Sequence, residues 1–294
     1  RRFYCKQRRL IFEMTYSELF EKSVNQLKNA SIEEASSDVT LLFDYILGID
    51  RAFMFMNGND TVPDDACDKL LNAVSIREKR VPLQHITGFQ NFMGLEFKVS
   101  KDVLVPRFDT ECLVEEAMLV TNDNDKVLDI CTGSGCIIIS LMNYKNGIEG
   151  YGVDISKEAL NLANENAGRL CKPDNKPQFI LSDLFEGVNH TDFDVIVSNP
   201  PYIKTSDIET LMSEVKDYDP YIALDGGEDG LLFYREIALK APDYLKKGGY
   251  LLVEIGFDEG DAVKELLIQN GFDCVKIIKD LAGCDRVVSG RKQR

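Results

Sequence analysis

What most restricts the fold of this chain is an alternation that begins at Asp125. Short apolar runs trade places with longer runs of helical period, each pair separated by a glycine or polar break. Strands are expected over residues 127–130, 150–154, 178–181, 194–198, 250–255, 272–278 and 286–289, and helices over 135–143, 157–169, 230–245 and 259–270. Repeated alternation of this kind specifies an open, mostly parallel sheet covered by helices on both faces. Such sheets bind ligands beyond the carboxyl ends of their strands, where the strand order reverses. The chemistry of the protein is therefore to be sought in the residues that follow its strands.

Residues 14–80 read differently. Leu19, Phe20, Val24 and Leu27 fall on one helical face. Ser31-Ile-Glu-Glu34 reads as a capping box ahead of a second helix, which carries Ala35, Val39, Leu42, Phe43 and Ile46 and stops at Gly48. Residues 50–56 form a short helical turn rich in Phe and Met, expected to lie in the core. Pro63 opens a third long helix that runs to about Arg80. Together these make a small N-terminal helical bundle. In the stretch 81–110, residues 89–99 alternate about Gly94 as a β-hairpin, and a helix with Glu111, Glu115 and Glu116 near its start begins at about Thr110. The expected organisation is thus a helical domain over 14–80, a hairpin linker over 81–110 and a sheet domain over 111–294.

Charge narrows the function. The chain holds 34 Lys+Arg against 49 Asp+Glu, a net charge of −15. Residues 1–13 carry +4 of their own, which leaves −19 for the rest. No long apolar stretch or cleavage site follows that basic start, so it reads as a non-essential extension, with Met14 as the natural beginning. An acidic chain lacks the basic surface that tracks nucleic-acid phosphate. No apolar run reaches the roughly 18–20 residues of a membrane span. The eight cysteines form no C-x-x-C pair, and only His85 and His190 could help them. No metal site, and no Ser–His or Cys–His hydrolase, is expected; reduced cysteines in a cytoplasmic protein are.

Four of the strand ends carry unusual residues. Asp129-Ile-Cys-Thr-Gly-Ser-Gly135 runs from a strand through a glycine turn into a helix, so that Gly133 and Gly135 admit close approach of a ligand to backbone N–H groups. Asp154 ends the next apolar strand, where a carboxylate accepts both hydroxyls of a ribose, while Ser156 serves as the helix cap. A dinucleotide fold would place a third glycine near Ile138. Its absence favours a phosphate-free nucleoside, and an acidic protein suits the sulfonium of S-adenosyl-L-methionine. Asp183, after the third strand, is placed to accept from an adenine amino group, with Leu184 beside the ring. The most specific signal is Asn199-Pro-Pro-Tyr202 after the fourth strand. Two prolines end that strand abruptly and stiffen a turn. Asn199 and the Pro200 carbonyl there can accept both protons of a planar –NH₂, with Tyr202 as a flat surface beneath it.

On this fold, Asn199-Pro-Pro-Tyr202 resembles the class I methyltransferases that modify planar nitrogen. Further stretches narrow the likeness: Pro82-Leu-Gln-His-Ile-Thr-Gly88, Val105-Pro-Arg-Phe-Asp-Thr-Glu111, Gly152-Val-Asp-Ile-Ser156, Ser182-Asp-Leu-Phe185, Ala223-Leu-Asp-Gly-Gly227, Glu254-Ile-Gly256 and the closing Asp280-Leu-Ala-Gly283 with Arg286 to Arg291. From Met14 onward the chain is similar to the peptide-chain release factor glutamine-N5 methyltransferases. The resemblance implies a Rossmann-like, mostly parallel seven-stranded sheet with a small N-terminal helical bundle that recognises substrate. It implies methyl transfer from S-adenosyl-L-methionine, leaving S-adenosyl-L-homocysteine, to the glutamine of the Gly-Gly-Gln motif of release factors. Cys131, Thr132, Gly133, Ser134, Gly135, Asp154, Asp183, Leu184 and Asn199 are then the cofactor residues. Asn199, Pro200, Pro201 and Tyr202 are the catalytic and substrate-binding ones. Two departures stand out: Cys131 in place of the usual first glycine, and Phe108-Asp109 where Pro-Glu is commoner. Cys131 also keeps open a glutamine methyltransferase of a large-subunit ribosomal protein; a nucleic-acid adenine-N6 methyltransferase is disfavoured by the lack of a basic recognition region. The implied enzyme is a cytoplasmic monomer without direct nucleic-acid or membrane partners, its acidity drawing in a basic protein substrate.

Overall fold

A computed structural model describes residues 14–293, so the expectation for residues 1–13 lies outside the described residues. The chain divides into two compact units between Thr87 and Gly88. Helices α1 (Tyr16–Asn29), α2 (Ala35–Leu42), α3 (Arg51–Asn57), α4 (Asp64–Arg77) and α5 (Leu83–Thr87) build the first, with one turn of π-helix at Phe43–Leu47 between α2 and α3. Its core is Leu19, Leu27, Val39, Leu42, Phe43, Leu70 and Val74, all fully or almost fully buried. Each such side chain stabilises the fold by about 1.5–3 kcal/mol. The buried Arg77 guanidinium donates to Asp38 Oδ2 at 2.7 Å, tying α4 to α2.

Two expectations for this unit need correction. Ser31 does not cap α2. Ser31 has φ +58° and belongs to the closing turn of α1, where the Ile32 N–H donates to the Leu27 carbonyl at 3.1 Å. The capping box sits instead at the start of α1, where Thr15 and Glu18 satisfy each other's backbone N–H groups. On α3, capped by Asp50, Phe53 and Met54 pack inward, but Phe55 and Met56 are 92% and 73% exposed. A two-turn helix cannot bury four consecutive apolar residues on one face.

The second unit opens with the hairpin β1 (Phe89–Phe92) and β2 (Leu95–Lys98), closed at Met93-Gly94, where both residues have positive φ. After α6 (Glu111–Val120) come β3 (Lys126–Ile130), α7 (Cys136–Tyr144), β4 (Glu149–Asp154), α8 (Lys157–Leu170), β5 (Gln178–Leu181) and β6 (Phe193–Ser198). The short α9 (Ser213–Lys216), then α10 (Leu232–Tyr244), β7 (Leu245–Glu254), α11 (Gly260–Gln269), β8 (Phe272–Lys279) and β9 (Asp285–Lys292) complete it. The seven-stranded sheet has the order β5-β4-β3-β6-β7-β9-β8, and β9 runs antiparallel to both of its neighbours. β7 starts five residues before the expected strand, with an irregular register against β6. Successive residues of each central strand feed opposite faces. Leu128, Ile196 and Leu251 pack on one side with Ile237 and Ala238 of α10. Val127, Val195 and Leu252 pack on the other with Leu113 of α6 and Ile138 of α7. Strands buried on both faces explain why the sequence is apolar there without alternating. The order reverses at β3, between β4 and β6, so the carboxyl ends of these three strands frame the expected crevice.

Candidate active site

At that edge the chain encloses a cavity of about 270 Å³. Its wall includes Cys131, Thr132, Gly133 and Ser134 after β3, Asp154 at the end of β4, Asp183 and Leu184 after β5, and Asn199 and Pro201 after β6. Nine residues singled out in the sequence are therefore brought together from four strand ends. Gly135, Pro200 and Tyr202 are not part of the wall. Gly135, with φ +79°, packs instead: a Cβ there would stand 2.9 Å from Ile139 Cδ1 and 3.3 Å from Ala163 Cβ. Pro200 is buried and Tyr202 half-buried against the core.

The turn after β3 is built by hydrogen bonds. Thr132 Oγ1 donates to Asp129 Oδ2 at 2.6 Å, and the Gly135 N–H closes on the Thr132 carbonyl at 2.8 Å. Asp129 is fully buried, and burial pushes its carboxyl up to about 7. Gly133 has φ +54° and no atom within 4 Å of where a Cβ would stand, so its backbone is open to a ligand. The Gly133 and Ser156 N–H groups each donate to Asp154, at 2.9 Å. Burial raises the Asp154 carboxyl and those N–H groups oppose the rise. The Ile155 N–H opposes it too, and the carboxylate keeps acceptor capacity for a ligand hydroxyl beyond these bonds. Ser156 caps α8 by accepting from the Ala159 N–H, the role expected of it. Cys131, with φ +59°, stands in the left-handed region where glycine costs nothing. Burial raises its thiol, which stays neutral.

Beyond β6, Asn199 Nδ2 donates to Thr110 Oγ1 at 3.2 Å, which turns the Asn199 carbonyl oxygen away from that partner. The segment that follows explains a glycine-rich motif downstream. A Cβ on Gly226 would stand 2.7 Å from the Tyr202 Cα, and one on Gly230 would stand 2.6 Å from the Tyr202 carbonyl oxygen. Gly226 and Gly230 thus let the backbone of 223–231 lie directly on that of Tyr202, pinned by Ile203 and Leu224 at 2.9 Å. Burial raises the Tyr202 phenol, keeping it protonated.

Sequence reasoning missed one wall. Asp102, Val103, Leu104, Pro106, Arg107 and Thr110, expected in the linker and, from Pro106 to Thr110, as part of the family likeness but not as site residues, line the cavity, as do Pro220, Ile222, Ala223 and Phe233. Arg107 reaches across to Asp219 at 2.5 Å. Glu111, four residues beyond Arg107, accepts from the Met93 N–H at 2.6 Å and anchors the hairpin. The signal was present in Arg107-x-x-Thr-Glu111, a polar run with no helical or strand period of its own. Among the described residues lining the cavity, Asp102, Asp154 and Asp183 face a single basic side chain, Arg107.

Sheet order and a cavity at the strand reversal define a class I methyltransferase fold. A model of the methyltransferase small domain matches residues 107–215, and one of the PrmC N-terminal domain matches residues 18–88. A methyltransferase structure from Pyrococcus furiosus shares the fold, with a TM-score of 0.52 and 19% identity over 79% of this chain and all of its own. The release factor glutamine methyltransferase of Geobacter sulfurreducens is 41% identical over 90% of this chain and 92% of its own. That of Clostridium acetobutylicum is 40% identical over 91% and 95%. The chain belongs to the release factor glutamine methyltransferase family.

Proposed function

We propose that the protein methylates the side-chain amide nitrogen of the glutamine in the Gly-Gly-Gln motif of peptide-chain release factors, using S-adenosyl-L-methionine held in the cavity. The observation that carries this reading is the meeting of Asn199 with Asp154 on one cavity wall. The residues fit a cationic, phosphate-free nucleoside. Three carboxylates and one guanidinium, itself tied to Asp219, suit a sulfonium better than a pyrophosphate. The buried Ser134 hydroxyl, without a hydrogen-bond partner among the described residues, offers a further polar contact.

When bound, S-adenosyl-L-methionine supplies an electrophilic methyl group on positively charged sulfur. Asp154 takes the ribose hydroxyls through the acceptor capacity that its backbone N–H partners leave free. Asp183 accepts from the adenine amino group, and Leu184 covers the ring. Asn199 Oδ1 and the Pro200 carbonyl accept the two protons of the glutamine amide and so aim its nitrogen lone pair across the cavity. Pro201 and Tyr202 keep that turn rigid. Alignment of two bound reactants supplies about 7–11 kcal/mol of the barrier, and the accepting oxygens stabilise the charge that develops on nitrogen. No helix among the described residues is long and apolar enough to cross a membrane. The likeness to release-factor enzymes favours that substrate over the ribosomal-protein alternative.

The test incubates the enzyme and labelled S-adenosyl-L-methionine with release factor, ribosomal protein and DNA in parallel. Label on the release factor, lost when its tip glutamine is replaced, is the expected result. Label on DNA, or label that survives the replacement, would refute the assignment. Asn199→Ala is expected to lose most turnover while binding the cofactor normally.

A further inference from the structure

A second carboxyl lies behind the site. Glu254 ends β7 and is 1% exposed, and its Oε2 has no hydrogen-bond partner among the described residues. A buried carboxylate left part-satisfied costs stability, so its retention calls for a reason. Its neighbours supply one. The Thr110 hydroxyl and the Asn199 amide both favour the charged form of Glu254, and the same Asn199 amide donates to the Thr110 hydroxyl. Thr110 is itself buried, and the parallel register that sets Ser198 of β6 beside Val253 of β7 brings Asn199 and Glu254 out at neighbouring strand ends.

We infer that Glu254 is a positioning residue for methyl transfer, acting through Thr110 to hold the Asn199 amide with its carbonyl oxygen facing the substrate and to place negative charge behind the substrate nitrogen. The inference rests on the reading of Asn199 given above. As the glutamine amide is alkylated its nitrogen turns cationic until a proton leaves to water. A chain from Glu254 through Thr110 to Asn199 polarises the accepting oxygen in the direction that stabilises that charge.

The surroundings leave that charge on Glu254 largely uncancelled. Arg286 of β9 approaches it, but Arg286 already pairs with Asp280 at 3.0 Å and with Asp109 at 3.3 Å. Asp109, ahead of α6, adds like charge. The other titratable groups coupled to it, Cys112 of α6, Cys136 of α7, Tyr202 and Tyr234 of α10, all have raised pKa values and are neutral near pH 7. Burial pushes the Glu254 carboxyl up to about 7, so its charge changes within the working range.

The test follows the side-chain amide resonance of Asn199 in the cofactor-free full chain between pH 5.5 and 8.5, beside steady-state methylation of release factor. The wild type is expected to show an inflection near pH 7. Glu254→Gln and Thr110→Val are expected to lose it, and to lower kcat at least roughly tenfold with KM and cofactor affinity held within threefold. Thr110→Ser keeps the hydroxyl and is expected to restore both. Asn199→Ala serves as the reference. If it stays active, the reading of Asn199 and this inference fall together. If it is inactive while Glu254→Gln and Thr110→Val keep wild-type kcat and the inflection, the inference alone is overturned.

Discussion

The backbone N–H of Gly133 donates to Asp154 across 21 residues of sequence, at 2.9 Å. The glycine turn after β3 and the acid ending β4 are therefore one device, in which the acid braces the loop that faces the ligand. Asp154→Ala removes the brace and both acceptor oxygens together. The loss of charge-assisted bonds worth about 1.5–3 kcal/mol each is expected to weaken S-adenosyl-L-methionine binding by at least tenfold by calorimetry. Unchanged affinity would exclude a ribose role for Asp154.

Cys131 holds a left-handed backbone at φ +59°, where a side chain costs about 1–2 kcal/mol relative to glycine. The backbone contribution is isolated by comparing two truncations that both lose the sulfur. Cys131→Gly is expected to be more stable than Cys131→Ala by about 1 kcal/mol in denaturant unfolding. Equal stability of the two would mean that the turn relaxes when the thiol is removed.

The sequence made the sheet legible because both faces of its strands are buried, and apolar runs bounded by glycine survive inspection without partners. The site residues that face the cavity sit directly after those strands, so Asp154, Leu184 and Asn199 could be found by position alone. What escaped was pairing at a distance. Thr110 meets Asn199 across 89 residues and Arg107 meets Asp219 across 112, and no local pattern marks such partners. Ser31 misled for the opposite reason. Its capping pattern is complete in sequence, but the closing turn of α1 claims the residue first.

Arg107 and Asp219 pair at 2.5 Å with the carboxylate fully enclosed and the guanidinium 40% exposed. Asp219 precedes Pro220, Ile222 and Ala223, which form cavity wall, so the pair fastens that wall in place. Arg107→Ala leaves a buried carboxylate unpaired. Its cost, about 1–3 kcal/mol after allowance for the exposed partner, is expected to grow with pH. Burial already raises the Asp219 carboxyl, and without Arg107 it rises further, so the folded state binds protons that the unfolded state has lost. Melting temperatures at pH 5 and pH 8 check this: a deficit no larger at pH 8 would contradict it.

In the helical unit, Asp38 and Arg77 pair at 2.7 Å with only 10% of each side chain exposed. Asp38→Ala removes the carboxylate from a guanidinium that stays in the interior, which costs about 3–5 kcal/mol. Replacing both residues by apolar ones of similar size, Asp38→Leu with Arg77→Met, is expected to recover most of that loss. A double variant as unstable as the single one would show that the pair contributes more than mutual neutralisation.

Asp129 and Glu254 share a condition that sets the pH dependence of the second unit. Both are enclosed, and burial lifts each to about 7, above the usual values near 4. Between pH 4 and 7 the folded chain therefore holds protons that the unfolded chain has released. By linkage these groups contribute less stability as pH rises through that window, and the deficit levels off above pH 7. Glu254→Gln keeps the shape and removes the buried charge. It is expected to melt higher than wild type at pH 8 and at nearly the same temperature at pH 5, while turning over more slowly. Each kcal/mol regained corresponds to a rise of about 2–4 °C in Tm. A variant that melted lower at pH 8 would show that Glu254 is there to hold the fold together; one that melts higher while losing turnover shows a charge kept for the reaction at the expense of stability.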